Sequence, residues 1–542
     1  MFLKSLSPLI AMLALLSNSF GFGQNGPRPP GELAWAISYD PKTLDPMKVD
    51  DQTSELVRFL TGGVLVRVNR LTQQLEPELA SSWTLSPDGK VLSFRLRDGL
   101  HFSDGSELSS RDVAWTLHRI LAEGSGAPVA EEFLTPQQVK VETPDLHTVI
   151  VRLPNHIVGA IRIFDEISIE PMGRVTEGKI TAGPFTVAEY RRGQLVRLRR
   201  NPAFWKHDVA GVQLPYATGV RLDIVSNRER EVSLFQRGVY DLIDGLPAEN
   251  FNALARIAPG SVRDMGPSLN TEQIWFNQSP NAPLPDFERA WFANRSFRVA
   301  VSQGIHRADL ARIAYDGHAT PAFGFVSPAN LAWHNKDLQF PHEDGEAARK
   351  LLSSAGFHLR GNLLYDRGEH PIRFSILTNA GNAARQKMAT LLQQDLAALG
   401  MQVTVVTLDF PALIERIMHT QNYEACLLGI ANVDPDPNAM ANIWLSSSPN
   451  HQWNPSEKTP ATPWEAEIDE QVRSQAITLS GVNRKRAMDR LQQIVADQQP
   501  FIYLVHPNTL FAISPKLVNV RPAVLSPGLV WNIDTLRLQG VR

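Results

Sequence analysis

"PIRFSILTN", residues 371–379, begins the run whose reading decides the fold. This apolar strand is followed by "AARQKMATLLQQDLAALG" (383–400), a helix stopped by Gly400, and by the strand "MQVTVVTLD" (401–409). "FPALIERIMHTQ" (410–421) reads as a second helix and "YEACLLGI" (423–430) as a third strand. Strand–helix–strand–helix–strand at this spacing predicts parallel strands joined by right-handed crossovers, the mark of an α/β fold. In such open sheets, ligands sit in the crevice beyond the carboxyl ends of the strands. Three loops should converge there: "TNAG" (378–381), the turn at Asp409 and Phe410, and "ANVDPDPN" (431–438).

The last of these loops sets Asp434, Asp436 and Asn438 at alternating positions, the opening spacing of an EF-hand calcium loop. Such a loop needs Gly at its sixth position and Glu at its twelfth. Ala439 and Leu445 stand there instead, and Pro435 and Pro437 stiffen the segment, so the calcium reading fails. Elsewhere "HEDGE" (342–346) lacks the second His of a zinc helix, and no metal is predicted. The chain has no G-x-S-x-G elbow, no Walker-type phosphate loop and no G-x-G-x-x-G, so no cofactor is expected. Cys426, the one cysteine, lies in "ACLLGI" and reads as a buried inert thiol.

Towards the N-terminus, "SSWTLS" and "VLSFRLR" alternate around "PDGK" (87–90) and predict a hairpin. Ser109 or Ser110 then caps a helix with Val113, Leu117 and Ile120 on one face. A second hairpin is expected in "GPFTVAEYRRGQLVRLRRNPAFW" (183–205), turning at Arg192 and Gly193; its basic residues form a solvated strand face. "GVRLDIVSN", "REREVSLFQRG" and "YDLIDGL" make a β-α-β unit. "TEQIWFNQ" (271–278) is an apolar strand, and "PFIYLVH" (500–506), after a further helix, is a buried strand returning to the first part.

At 542 residues, with 43% hydrophobic and 20% charged side chains, the chain can bury several cores. A net charge of -3 provides no field to recruit nucleic acid or an anionic membrane. The N-terminus carries Lys4, an apolar run over about 6–16 and then small residues. That run is too short to span a bilayer and suits a cleavable secretory signal, residues 1–23. No cysteine follows to serve as a lipoprotein anchor, so a freely periplasmic protein without stable membrane insertion is expected, as a monomer.

An ordered set of segments then becomes recognisable: "LEPELASSWTLSPDGKVLSFRLRDGLHFSDGSELSSRDVAWTLHRI" (75–120), "TAGPFTVAEY" (181–190), "REREVSLFQRGVYDLIDGLP" (228–247), "WFNQSP" (275–280), "RSFRVAVSQGIHRADLARIAYDGHATPAFGFVSP" (295–328) and "EDGEAARKLLSSAGF" (343–357). Together they resemble the family 5 extracellular solute-binding proteins, the peptide/nickel-type receptors of bacterial ABC importers. The resemblance implies a class II-like bilobed periplasmic binding protein fold, with two lobes joined by a hinge and an extra inserted domain. Domain I would comprise 31–65, 180–274 and 505–542, domain II 66–179, and domain III 275–504, with the hinge where the chain crosses near 270–278 and 500–506. The lobes would close on a peptide or other small solute and present it to ABC permease subunits, without chemistry on the ligand. A secreted hydrolase or a periplasmic sensor on the same fold is the alternative.

Peptide receptors of this family often carry G-W-x-x-D at the strand-to-loop segment, its Asp pairing the peptide's α-amino group. Here Ile430 and Val433 occupy the Trp and Asp positions, leaving Asp434, one residue along, as the substitute carboxylate. The expected ligand-binding set is Asp434, Trp275, Asn277, Asn379 and Trp444.

Overall fold

The computed structural model describes residues 28–432 and 434–540; the expected signal segment and Val433 lie outside the described residues. Three packed bodies are built from the elements the sequence announces. In the first, strands Glu32–Ile37, Gly219–Ile224, Leu195–Arg200 and Phe185–Arg191 form one sheet in that order. The outer pair is parallel and the Phe185–Arg191/Leu195–Arg200 pair is the expected hairpin, with Gly193 at φ 71° in its turn. Period-2 alternation sends Leu33, Trp35 and Ile37 into one core with Leu60, Phe185 and Phe511, and Ala34 into another with Tyr240 and Phe251.

The second body is an antiparallel sheet ordered Ala80–Leu85, Val91–Leu96, Thr148–Arg152, Lys140–Asp145. Helix Ser110–Leu121 packs Val113, Leu117 and Ile120 against it. Ser109 and Asp112 close a reciprocal capping box at its N-terminus, which satisfies amides the first turn leaves free.

The third body holds the decisive run. Arg373–Asn379 lies between Gln402–Leu408 and Ala425–Ile430 and is parallel to both, as the strand–helix alternation predicts. Thr271–Phe276 then runs antiparallel to Ala425–Ile430, and Phe501–Ile513 antiparallel to Thr271–Phe276. Ile274 and Phe276 face a core with Phe292, Phe374 and Leu396; Trp275 faces the opposite core with Cys426, Trp453 and Phe501. The helix expected over 410–421 is α-helical only across Phe410–Ile414, capped by Asp409, and widens to a π-turn over Glu415–Thr420.

Two crossings join the third body to the first. Phe501–Ile513 pairs through its first half with Thr271–Phe276 and through its second half with Val262–Pro267. The crossing segments therefore lie side by side as one antiparallel ribbon. His506 is 2% exposed at this point, its imidazole Nδ1 bonded to the Asn270 carbonyl at 2.9 Å. Among the described residues no helix is long and apolar enough to cross a membrane.

Candidate functional site

The loop that carries Asp434 and Asp436, after the strand Ala425–Ile430, meets the second body at the cleft, and its two aspartates divide the labour there. Asp436 turns into its own lobe: its carboxylate binds Arg484 at 2.9 and 3.2 Å and caps the turn Pro437–Met440. Asp434 turns outward. Its Oδ1 accepts the Asp436 amide at 2.8 Å and stands 3.7 Å from Arg162 Nη2 on the second body. Pro435 cannot donate a hydrogen bond, and its carbonyl accepts one from Asn330 Nδ2 at 2.9 Å, which fixes the loop between the two aspartates.

Arg162 belongs to the short 3-10 helix Ala160–Asp165, entered through Gly159 at φ 78°. Its last residue, Asp165, is buried between Arg67 and Arg70 at 3.3 and 3.0 Å, and Arg58 donates to its carbonyl. The next side chain, Glu166, points to the cleft and meets Glu132 from the 3-10 helix Pro128–Phe133. Glu132, Glu166 and Asp434 thus form an acidic trio contributed from both sides. Although Glu132 and Glu166 keep exposed surface, partial desolvation and the charges of Glu166 and Asp434 push the Glu132 carboxyl up to about 8. Burial also raises Glu166, partly offset by Arg58, and raises Asp434, offset by the Asp436 amide and Arg162. Arg58, Arg70 and Arg162 offset these charges only in part, so the three crowded carboxylates remain a cation-accepting environment.

Beside the trio, the lobes already touch. Gln73, held at φ 61° in the turn after Val66–Val68, donates through Nε2 to the Ala329 carbonyl at 2.8 Å and accepts the Leu331 amide at 3.1 Å. The left-handed backbone is unusual for a residue with a side chain, and here it aims that side chain across the cleft. His156 also reaches across, to the Ile477 carbonyl.

The five expected site residues are not brought together. Asn379 ends its parallel strand, where Oδ1 accepts from Arg385 Nη1 at 2.9 Å; Arg385 in turn grips both Glu272 oxygens at 2.8 and 3.0 Å. That guanidinium lies over Gly429, where a Cβ would come within 2.4 Å of Nη2. Asp434 and Asn379 therefore stand at the carboxyl edge of the sheet. Trp275, Asn277 and Trp444 do not, which corrects the expectation for them. Trp275 is fully enclosed and donates from Nε1 to the Tyr423 hydroxyl at 3.2 Å. Asn277 lies past the far end of its strand and ties Gln421 and Tyr423 carbonyls at 2.8 and 2.9 Å. Trp444 packs between Phe325, Trp453 and Phe501. An aromatic residue in an apolar strand satisfies core and cleft alike, and only the covering helices decide. Glu132 and Glu166 were missed because no local pattern marks them; their partners are distant in the chain.

A cavity of about 560 Å³ lies between the first two bodies, lined by Phe59, Trp205, Lys206, Trp531 and Asp534 among others. None of its walls comes from the third body, so lobe closure does not form it.

Comparison with known proteins agrees with this architecture. The family model for bacterial extracellular solute-binding proteins, family 5 (middle region), matches residues 74–452. A "Probable ABC transporter-binding protein" of Deinococcus radiodurans is 25% identical, over 88% of this chain and 87% of its own. The "Probable D,D-dipeptide-binding periplasmic protein DdpA" of Escherichia coli is 24% identical over 94% of each. The crystal structure of the ABC transporter substrate-binding protein CtaP from Listeria monocytogenes superposes with a TM-score of 0.78, at 21% identity, covering 94% of this chain and 100% of that one. The chain belongs to the bacterial extracellular solute-binding proteins of family 5.

Proposed function

We propose that this protein is a periplasmic receptor that captures a small amine-bearing solute, an oligopeptide or peptide-like compound, and delivers it to an ABC import permease. The observation that carries the reading is the trio Glu132, Glu166 and Asp434, drawn from both lobes around one cleft. A ligand ammonium placed among them would favour the charged form of all three carboxylates, and it would do so only with the lobes together. Ligand binding and lobe closure are then one equilibrium, because the ligand contacts both lobes in the closed form alone. Asp434 takes the role that Val433 cannot, and Asn379 flanks the same edge. The relatives named for ABC-transporter and dipeptide binding support this class of ligand. No bond in the ligand needs to break.

The test is thermal denaturation of the dialysed protein with a hydrolysate of short peptides, against the same hydrolysate after N-acetylation. A rise in Tm with free amines and little rise with acetylated ones supports the reading. Equal rises in both, or cleavage of the peptides by the purified protein, would overturn it.

A further inference from the structure

Inside the third body, away from the acidic trio, the loop after Trp444 folds back on itself and buries three ligating side chains. His451 is fully enclosed and Glu465 is 2% exposed, and the Glu457 side chain is almost as covered. One ligand atom from each lies within 4.8 Å of the others. His451 Nε2 is 3.5 Å from Glu457 Oε1 and 3.7 Å from Glu465 Oε1. Those gaps exceed hydrogen-bond length, and Nε2 and Glu457 Oε1 are both buried without a hydrogen-bond partner.

The surrounding bonds orient these atoms. His451 Nδ1 faces the Ile443 carbonyl at 3.2 Å; donating there leaves Nε2 with its lone pair aimed at two carboxylate oxygens. Glu465 is fixed by the Trp453 indole N–H at 2.8 Å on Oε1 and by the Thr462 hydroxyl at 2.7 Å on Oε2. Glu457 Oε2 accepts the Ala461 amide at 2.6 Å, leaving Oε1 free to face inward. Arg298, whose charge is felt at Glu465, directs its N–H groups to the Phe292 and Gln498 carbonyls instead. His451 Nε2 and two carboxylate oxygens therefore converge at separations longer than a hydrogen bond in a dry interior, an arrangement that a cation between them would satisfy.

We propose that His451 Nε2, Glu457 Oε1 and Glu465 Oε1 hold a divalent cation of the zinc class, which pins the 446–461 loop to helix Pro463–Ile477. Ligand atoms about 2.1 Å from an ion in tetrahedral arrangement are about 3.4 Å apart, close to the two separations from Nε2. Two carboxylates and a neutral imidazole balance a 2+ charge. The imidazole nitrogen selects a zinc-like ion over calcium or magnesium, which take oxygen donors. The spacing 451, 457 and 465 matches no local zinc motif, which is why the sequence conceals the site.

The test uses the whole protein, stripped with a chelator, desalted and titrated with Zn²⁺, with bound metal counted by plasma mass spectrometry. One equivalent retained through a second desalting is expected. His451→Ala and Glu457→Gln should each lower the affinity at least tenfold, while Asp434→Asn keeps the metal. Glu457→Gln preserves shape and decides the matter where His451→Ala fails to fold. No retained zinc in the wild type, retention by Glu457→Gln equal to wild type, or loss of zinc in Asp434→Asn alone would overturn the assignment.

Discussion

Asp434 and Asp436 sit two residues apart and do unlike work. The first faces Arg162 across the cleft at 3.7 Å, the second is locked to Arg484 inside its lobe. Asp434→Asn removes a cleft charge and leaves the loop's hydrogen-bond acceptor, so solute affinity should fall at least tenfold by calorimetry with little change in Tm; Asp436→Asn should lower Tm as well. Glu132 supplies a pH dependence. Its carboxyl is pushed up to about 8, so much of it is protonated at neutral pH, and a ligand cation must displace that proton. Affinity is expected to rise with pH from about 6 to 8, with proton release on binding at pH 7. Glu132→Gln should reduce the release and make the profile shallower, with Glu166 and Asp434 carrying the remainder; an unchanged profile would remove Glu132 from the site.

Elements carry the next level, and there the crossing ribbon and the Gln73 turn matter most. The Gln73 turn gives two hydrogen bonds made only while the lobes touch. Gln73→Ala should shift the equilibrium towards the open form by about 1–2 kcal/mol, read as a roughly tenfold weaker solute affinity with the unfolding midpoint nearly unchanged. His506 sits in the ribbon with its ionisation lowered to about 4 by burial. Its native form is neutral, and the unfolded chain binds the extra proton between about pH 6.5 and 4. Its contribution is complete above pH 6.5 and lost as pH falls through that window, up to about 3 kcal/mol. His506→Gln should therefore flatten the decline of Tm between pH 6.5 and 4. These elements also show what local sequence carries. The turns at 87–90 and 192–193, the Ser109 cap and the three parallel strands of 371–430 are set by residues near in the chain, and they were legible. The π-turn at Glu415–Thr420 departs from its periodic signal. The faces of Trp275 and Trp444 depend on helices far along the sequence, which alternation alone cannot resolve.

At the scale of the molecule, two side-by-side crossings leave one axis about which the lobes can move, and the acidic trio lies where they meet. Order and composition of the segments were enough to identify the family, because many loose matches in one order are jointly specific. The trio was not legible: Glu132, Glu166 and Asp434 come from two bodies, and only packing assembles them. On the proposed function, closure traps an amine-bearing solute on that trio. Native mass spectrometry of the protein purified from its own host tests it most directly, with wild type and Asp434→Asn compared. One non-covalent adduct is expected, with a mass that identifies a compound with a basic nitrogen, depleted in Asp434→Asn. An adduct lacking any basic group, or one carried equally by both proteins, would contradict it.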